Sequence, residues 1–108
     1  MASEYVKQVQ GADFDTFLGE KKLALVDFWA NWCGYCHALA PVIEQIAEEY
    51  ADTVAVGKLD ADSNGAVAAQ FDVMGLPTVL LFENGREVDR LVGAMPKEAY
   101  RQMIQKHL

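Results

Sequence analysis

Cys33 and Cys36 are the residues of this sequence whose type and spacing are best suited to chemistry. Two residues separate them, so on a helix they share one face and lie within the Cα separation that a disulfide tolerates. Two thiols are too few for a disulfide framework and are half of a closed zinc site, which His37 and the terminal His107 would not convincingly complete. The pair predicts reversible thiol–disulfide exchange, with two incidental buried thiols as the simplest alternative.

The elements around the pair favour different roles for the two thiols. An apolar run, residues 23–30, is typical of a strand buried on both faces, and apolar residues recur at helical spacing over residues 33–50. A cysteine at the start of that helix faces unpaired backbone N–H groups and the positive end of the helix dipole, which stabilise its thiolate. We therefore expect Cys33 to be the nucleophile and Cys36 to resolve the mixed disulfide.

Asp27 is the one charged residue of the apolar run. A buried carboxylate is costly unless it is paired, hydrogen-bonded or protonated, so we expect its pKa to be raised. Such an acid can take the proton of Cys36 during the resolving step and return it later. A structural pair with Lys58 of a neighbouring strand is an equally good hypothesis, and both can hold.

Residues 33–37 also match the C-x-x-C-H pattern of c-type haem attachment. His37 would be the proximal ligand, and Met74, Met95 or Met103 the distal one. The match is short, and haem attachment of this kind goes with export. Charged residues interrupt the first twenty positions and leave no signal-peptide core. A haem spectrum of the purified protein separates this alternative from thiol–disulfide exchange.

The composition predicts one domain over residues 1–108, because 52% of the residues are hydrophobic and 23% are charged. Sixteen acidic and nine basic residues give a net charge of −7, which disfavours nucleic acids and anionic membranes as partners. The longest uncharged run, residues 28–43, contains polar residues and is too short for a membrane span. We expect a cytoplasmic monomer.

Strand and helix signals alternate along the chain. Strand character is found at residues 5–9, 23–30, 53–59, 78–82 and 87–92. Helices are predicted at residues 13–18 and 33–50, after a Ser63 cap, and after Pro96, where the apolar face would hold Tyr100, Met103, Ile104 and Leu108. Asn84-Gly85 predicts a hairpin, and Pro41 a kink in the long helix. The pattern indicates an α/β fold with a mixed sheet and helices on both faces.

A set of short motifs runs in order along nearly the whole chain. They are Val26-Asp27-Phe28-Trp29-Ala30, Trp32-Cys33-Gly34, Cys36, Ala40-Pro41, Lys58-Leu59-Asp60, Gly75-Leu76-Pro77-Thr78 and Asn84-Gly85. Each motif alone is weak evidence, but together, at these spacings, they resemble the thioredoxin family. The resemblance implies a thioredoxin fold, with a central mixed five-stranded sheet in the order 1-3-2-4-5 and four helices on both faces.

The resemblance also implies a mechanism and a binding surface. Cys33 would attack a substrate disulfide, Cys36 would resolve the intermediate, and Asp27 would relay the proton. Pro77 would be cis and face the cysteines, with the Leu76 backbone pairing with an extended substrate strand. The implied substrate-binding residues are Trp32, Met74, Gly75, Leu76, Pro77, Gly93 and Ala94.

The resemblance further implies that no cofactor is bound. Electrons would come from NADPH through a flavoprotein of the thioredoxin-reductase kind and pass to disulfide-containing proteins. The acidic charge fits partners that carry a basic docking patch. A different class of function, an interaction module whose redox chemistry is secondary, would retain partner function after either cysteine is replaced by serine.

The chain departs at two positions from the family's usual W-C-G-P-C-K motif. Tyr35 replaces the proline and His37 replaces the lysine. Tyr35 removes a fixed φ angle and adds a backbone donor near the Cys33 sulfur, which favours the thiolate. Together with Gly34 and Lys58, these residues would tune the couple to a potential above the family's roughly −270 mV. The alternative hypothesis for the function is therefore a less reducing disulfide isomerase or oxidase.

Overall fold

The computed structural model describes residues 4–108, which form five strands and four α-helices. The strands are β1 (Val6–Gln8), β2 (Leu23–Trp29), β3 (Val54–Asp60), β4 (Thr78–Glu83) and β5 (Arg86–Val92). The helices are α1 (Phe14–Leu18), α2 (Gly34–Glu49), α3 (Gly65–Gln70) and α4 (Lys97–Gln105), with one 3₁₀ turn, Gly11–Asp13, ahead of α1.

The strands form one mixed sheet in the order β1-β3-β2-β4-β5. β3 runs parallel to β1 and β2, whereas β4 runs antiparallel to β2 and to β5. The predicted strand order and the predicted change of direction are both confirmed. β2 is the central strand, with a neighbour on each side, which explains why its residues are apolar without alternation.

Helices cover both faces of the sheet, as predicted. α2 and α4 cover one face, where Tyr100 and Ile104 pack with Leu25 of β2. α1 and α3 cover the other face, where Phe17 packs with Val26, the next residue of β2. Successive side chains of β2 therefore point to opposite faces of the sheet, and each packs in the core layer on its own face. Among residues 4–108, none of the helices combines the length and the hydropathy that crossing a bilayer requires.

The cap of α3 differs from the prediction. Asn64, and not Ser63, is the N-cap residue. The Asn64 amide is held by the loop ahead of α1, because its Nδ2 donates to Gln10 Oε1 at 2.9 Å and its Oδ1 accepts from the Gly11 N–H at 2.8 Å. These contacts between distant segments decide where the helix begins, and the sequence around Ser63 does not contain them.

Pro41 lies inside α2, and Leu108 was wrongly assigned to α4. α2 continues through Pro41 to Glu49, because a proline removes one backbone donor while the rest of the helix is held by its buried face. Leu108 does not belong to the apolar face of α4. That helix ends at Gln105, and Leu108 follows it with its side chain exposed, whereas Tyr100 is fully buried.

Gly57 of β3 occupies a position where a side chain has no room. A Cβ would lie 2.6 Å from Val9 Cγ2 and 2.9 Å from Phe17 Cζ, both of them buried. We expect Gly57→Ala to lower the free energy of unfolding by about 1–3 kcal/mol, because packed side chains must move. Urea unfolding measures the loss. Gly65→Ala is the matched control, since a Cβ at Gly65 meets nothing within 4 Å; equal midpoints for the two variants would contradict the prediction.

Candidate active site

Cys33 and Cys36 lie at the start of α2, just beyond the carboxyl end of the central strand. Cys33 is the N-cap residue of the helix, and a disulfide joins it to Cys36 with the two Cα atoms 5.3 Å apart. The Cys36 N–H donates to Cys33 Sγ at 3.2 Å, and both cysteines are buried. The first sulfur therefore sits among the unpaired N–H groups of the helix, which favour its thiolate once the disulfide is reduced.

Asp27 is buried in β2, the strand that leads to the cysteines, with 5% of its surface exposed. Among the residues that the structure describes, its Oδ1 has no hydrogen-bond partner. Burial raises the pKa of Asp27 from 3.8 to about 7, against a smaller lowering by the positive charge of Lys58. The raised pKa expected from the sequence is confirmed. The carboxyl can therefore gain or lose a proton near neutral pH.

Lys58 faces Asp27 across the β2–β3 register. Its ammonium lies 5.1 Å from the centre of the Trp29 ring, which is a cation–π geometry and not a contact with Asp27 Oδ1. The Trp29 ring also meets the His37 ring edge-on, with the centroids 6.3 Å apart. Lys58 thus acts on Asp27 through its electrostatic field while its side chain is held by an aromatic ring.

The two unusual residues of the cysteine motif lie on the outer side of α2. Tyr35 is 74% exposed. His37 Nε2 lies 2.7 Å from the Asn31 carbonyl oxygen, and because a carbonyl can only accept, Nε2 carries the proton. The Cys33 N–H donates to the Ala30 carbonyl oxygen at 3.1 Å in the same turn. The hydrogen bond from His37 therefore links the first turn of α2 to the loop that precedes Cys33.

A second loop, between α3 and β4, faces the two cysteines. Its Leu76–Pro77 peptide bond is cis, as the resemblance implied. Leu76 packs against the buried cluster of Ala30, Cys33 and Cys36. Thr78 Oγ1 donates to the Gly75 carbonyl oxygen at 2.6 Å and closes the turn ahead of β4. These contacts hold the backbone of the loop beside the disulfide.

The third loop, residues 93–95, is tied to the second loop and to α4. Gly93 has a φ of +85°, which favours glycine, and its N–H donates to the Pro77 carbonyl oxygen at 2.7 Å. The Tyr100 hydroxyl accepts from the Met95 N–H at 3.2 Å and donates to the Gly93 carbonyl oxygen at 3.5 Å. Burial raises the pKa of Tyr100, which keeps this hydroxyl protonated.

Large apolar side chains are exposed around the disulfide. Trp32 is 70% exposed and Met74 is 93% exposed. Trp32 Nε1 donates to Asp62 Oδ2 at 2.9 Å, so the indole is held in place despite its exposure. A Cβ at Gly34 would meet nothing within 4 Å, so the space above the first turn of α2 is open. An exposed apolar patch of this kind is typical of a protein interaction site.

The predicted site residues lie on three adjoining loops and on the elements beside them. The first loop is residues 30–33, which lead into the first turn of α2; the second lies between α3 and β4, and the third is residues 93–95. Asp27 and Lys58 lie instead in β2 and β3. Four residues that the sequence analysis did not assign hold the three loops in place. These residues are Asn31, Asp62, Thr78 and Tyr100. A signal for Asp62 existed, because it comes just after β3 and the carboxyl ends of parallel strands lie at one edge of a sheet. The Tyr100 hydroxyl bonds to residues 93–95 only because of how α4 packs on the sheet. No local pattern in the sequence predicts that packing.

Two of the additional ligands considered for zinc or haem, His107 and Met103, lie away from the cysteines. His107 Nδ1 lies 3.4 Å from Glu83 Oε1, at the end of the sheet where β2 begins. Met103 is buried in the core beneath α4. Within the described part of the chain, no group of three or more His, Cys, Asp or Glu side chains is arranged to hold a metal ion.

Comparisons with known proteins show similarity along nearly the whole chain. The profile of the Thioredoxin family matches residues 5–106. Thioredoxins of Staphylococcus aureus strains Mu50 and COL are each 44% identical over 103 residues, which cover 95% of this chain and 98% of theirs. An asparagine-to-glutamine mutant of a thioredoxin from Halobacterium salinarum NRC-1 matches the structure with a TM-score of 0.87 and 38% identity, over 98% of this chain and 94% of that chain.

Proposed function

Because the chain belongs to the thioredoxin family and is a thiol–disulfide oxidoreductase, we propose that Cys33 attacks disulfides of protein substrates and that Cys36 resolves the product. The Cys33 thiolate bonds to one substrate sulfur, and the other leaves as a thiolate that takes a proton from water. Cys36 then attacks Cys33 Sγ and releases the second substrate sulfur. Two electrons pass from the dithiol to the substrate. The buried pair at the N-terminus of α2 is the observation that carries this proposal.

Asp27 is the proton relay of the resolving step in this proposal. Cys36 attacks only as a thiolate, and it is buried, so a nearby group must accept its proton. With a pKa of about 7, Asp27 populates both its carboxylate and its carboxylic acid near neutral pH. The carboxylate takes the proton when Cys36 attacks, and the acid returns it when the disulfide is reduced again.

The substrate lies, in our proposal, as an extended segment across the three loops. The backbone of Leu76, held beside the disulfide, offers hydrogen bonds that do not depend on the substrate sequence. The open space above Gly34 admits the chain. Apolar side chains and small residues complete the surface: Trp32, Met74, Gly75, Pro77, Gly93 and Ala94.

We also propose the source of the electrons and the setting of the reaction. A flavoprotein of the thioredoxin-reductase kind reduces the Cys33–Cys36 disulfide with electrons from NADPH, and the protein binds no cofactor of its own. The net charge of −7 supports a reductase with a basic docking patch. The protein acts in the cytoplasm as a monomer whose residues 1–108 form one domain.

A coupled assay tests the electron route. The purified protein is mixed with a bacterial thioredoxin reductase, NADPH and insulin, and the loss of NADPH absorbance is followed. We expect NADPH consumption that requires all four components and stops with Cys33→Ser. Insulin reduction that depends on glutathione and glutaredoxin instead, with no NADPH consumed through the flavoprotein, would contradict the proposed route.

The reduction potential tests the effect of the two unusual residues. We expect a potential above the family's roughly −270 mV, and we expect the double variant Tyr35→Pro with His37→Lys to lie lower by about 30 mV or more. Restoring proline removes the Tyr35 N–H, one of the backbone N–H groups of the first turn of α2 that favour the Cys33 thiolate, and so disfavours the reduced form. Equilibrium with a glutathione buffer measures both proteins, and the two single variants separate the contributions. A native potential at or below −270 mV, about that of thioredoxin, rules the prediction out.

A further inference from the structure

Met74 is the most solvent-exposed methionine of residues 4–108. Its side chain is 93% exposed, compared with 38% for Met95 and 3% for Met103. A thioether is oxidised to a sulfoxide by peroxides, and access to solvent is a main determinant of how readily this happens. The structure therefore singles out one methionine as the most reactive toward dissolved oxidants.

Met74 lies in the loop between α3 and β4, the same loop that packs beside the cysteines. Met74 comes two residues before Leu76, which packs against the buried cluster that contains both cysteines. The backbone between Met74 and β4 is closed by the hydrogen bond from Thr78 Oγ1 to the Gly75 carbonyl oxygen. The thioether thus stands at the edge of the surface on which, in the proposed function, the substrate lies.

We propose that Met74 is a site of oxidation by hydrogen peroxide, and that its sulfoxide weakens the binding of protein substrates. The Met74 sulfur attacks one peroxide oxygen, an S–O bond forms, the O–O bond breaks, and water leaves after proton transfer. The sulfur loses two electrons and the peroxide gains them. The inference rests on the proposed function, because it assigns Met74 to the surface that the substrate covers.

The sulfoxide acts on binding and not on the dithiol chemistry. It replaces an apolar, flexible thioether by a polar group, so the surface loses apolar area that the substrate would bury. Cys33, Cys36 and Asp27 are buried, whereas the Met74 side chain is exposed to solvent. A small disulfide that needs little of the surrounding surface should therefore react as before.

The test begins with the protein in its disulfide form, in which the cysteines do not offer thiolates to the oxidant. Native protein, Met74→Leu and Met95→Leu are treated with hydrogen peroxide, and peptide mass spectrometry locates the mass gain of about 16 Da over time. Each protein is then compared with its own untreated sample in two assays: the reduction of insulin and the reduction of dithiobis-nitrobenzoate.

We expect Met74 to be oxidised before Met95 and Met103. Oxidation should raise KM for insulin about threefold to tenfold in the native protein and in Met95→Leu, but not in Met74→Leu, and should leave dithiobis-nitrobenzoate reduction unchanged. Oxidation of Met95 at an equal or higher rate, an unchanged KM, or the same rise in Met74→Leu would each overturn the inference. Failure of the untreated native protein to reduce insulin would instead refute the proposed function itself.

Discussion

Replacing Cys36 by serine should leave the protein covalently attached to its substrates. Cys33 can still attack a disulfide from its place at the N-cap of α2, but no thiol remains one turn away to attack Cys33 Sγ. The mixed disulfide therefore accumulates. Incubation of Cys36→Ser with insulin, followed by non-reducing electrophoresis and mass spectrometry, should show an adduct at Cys33 that dithiothreitol removes.

Cys33→Ser is the matched control, because it removes the other half of the same disulfide. We expect it to form no adduct and to reduce insulin at least about a thousandfold more slowly than the native protein, since the remaining thiol of Cys36 is not at the N-cap, where the backbone N–H groups favour a thiolate. An adduct at Cys36 in Cys33→Ser, with none in Cys36→Ser, would reverse the assigned roles. Partner binding retained by both variants would instead favour an interaction module.

The second large effect expected is a change in the pH dependence of stability in Asp27→Asn. The pKa of Asp27 is 3.8 in the unfolded chain and about 7 in the folded protein, because burial penalises the charged form. Between these values the folded state holds a proton that the unfolded state has lost. The free energy of unfolding therefore falls as pH rises, and the fall ends above the folded pKa.

The difference between the native protein and Asp27→Asn isolates this contribution, because the other ionisable groups are shared. Relative to the variant, the native protein should lose about 4 kcal/mol of stability between pH 3.8 and pH 8, with nearly all of the loss complete once pH exceeds about 7. Urea unfolding across this range measures it. Asp52→Asn, which neutralises an exposed carboxylate, is the control. A native-minus-variant difference that does not change with pH would contradict the buried, protonated state of Asp27.

The same variant should lose activity while it gains stability at high pH. Without a carboxylate to take the Cys36 proton, we expect the resolving step to slow by about a hundredfold, which is the usual scale of general base catalysis. Rapid-quench measurement of the mixed disulfide should show that its formation is little changed while its decay is slow. Slowing of formation alone would place Asp27 in a different step.

The central strand and the site at its end could be predicted from local patterns. Residues 23–30 identify β2, because a strand covered on both faces must be apolar throughout, and Asp27 is conspicuous as its one charged residue. The hairpin at Asn84-Gly85 is equally local. The N-cap of α3 was misassigned because it depends on contacts that are not local. The Asn64 side chain forms hydrogen bonds with Gln10 and Gly11, which come from a distant part of the chain.

The candidate reacting groups could be predicted from the sequence alone. Cys33, Cys36 and Asp27 follow from spacing along one strand and one helix, which are properties of neighbouring residues. Their surroundings became visible in the folded chain: the loop at Leu76, the loop at Gly93 and the supporting Tyr100 hydroxyl. These segments reach the disulfide because the sheet order sets β4 beside β2 and α4 over the same face, and contacts between such distant segments leave no periodic signal in the chain.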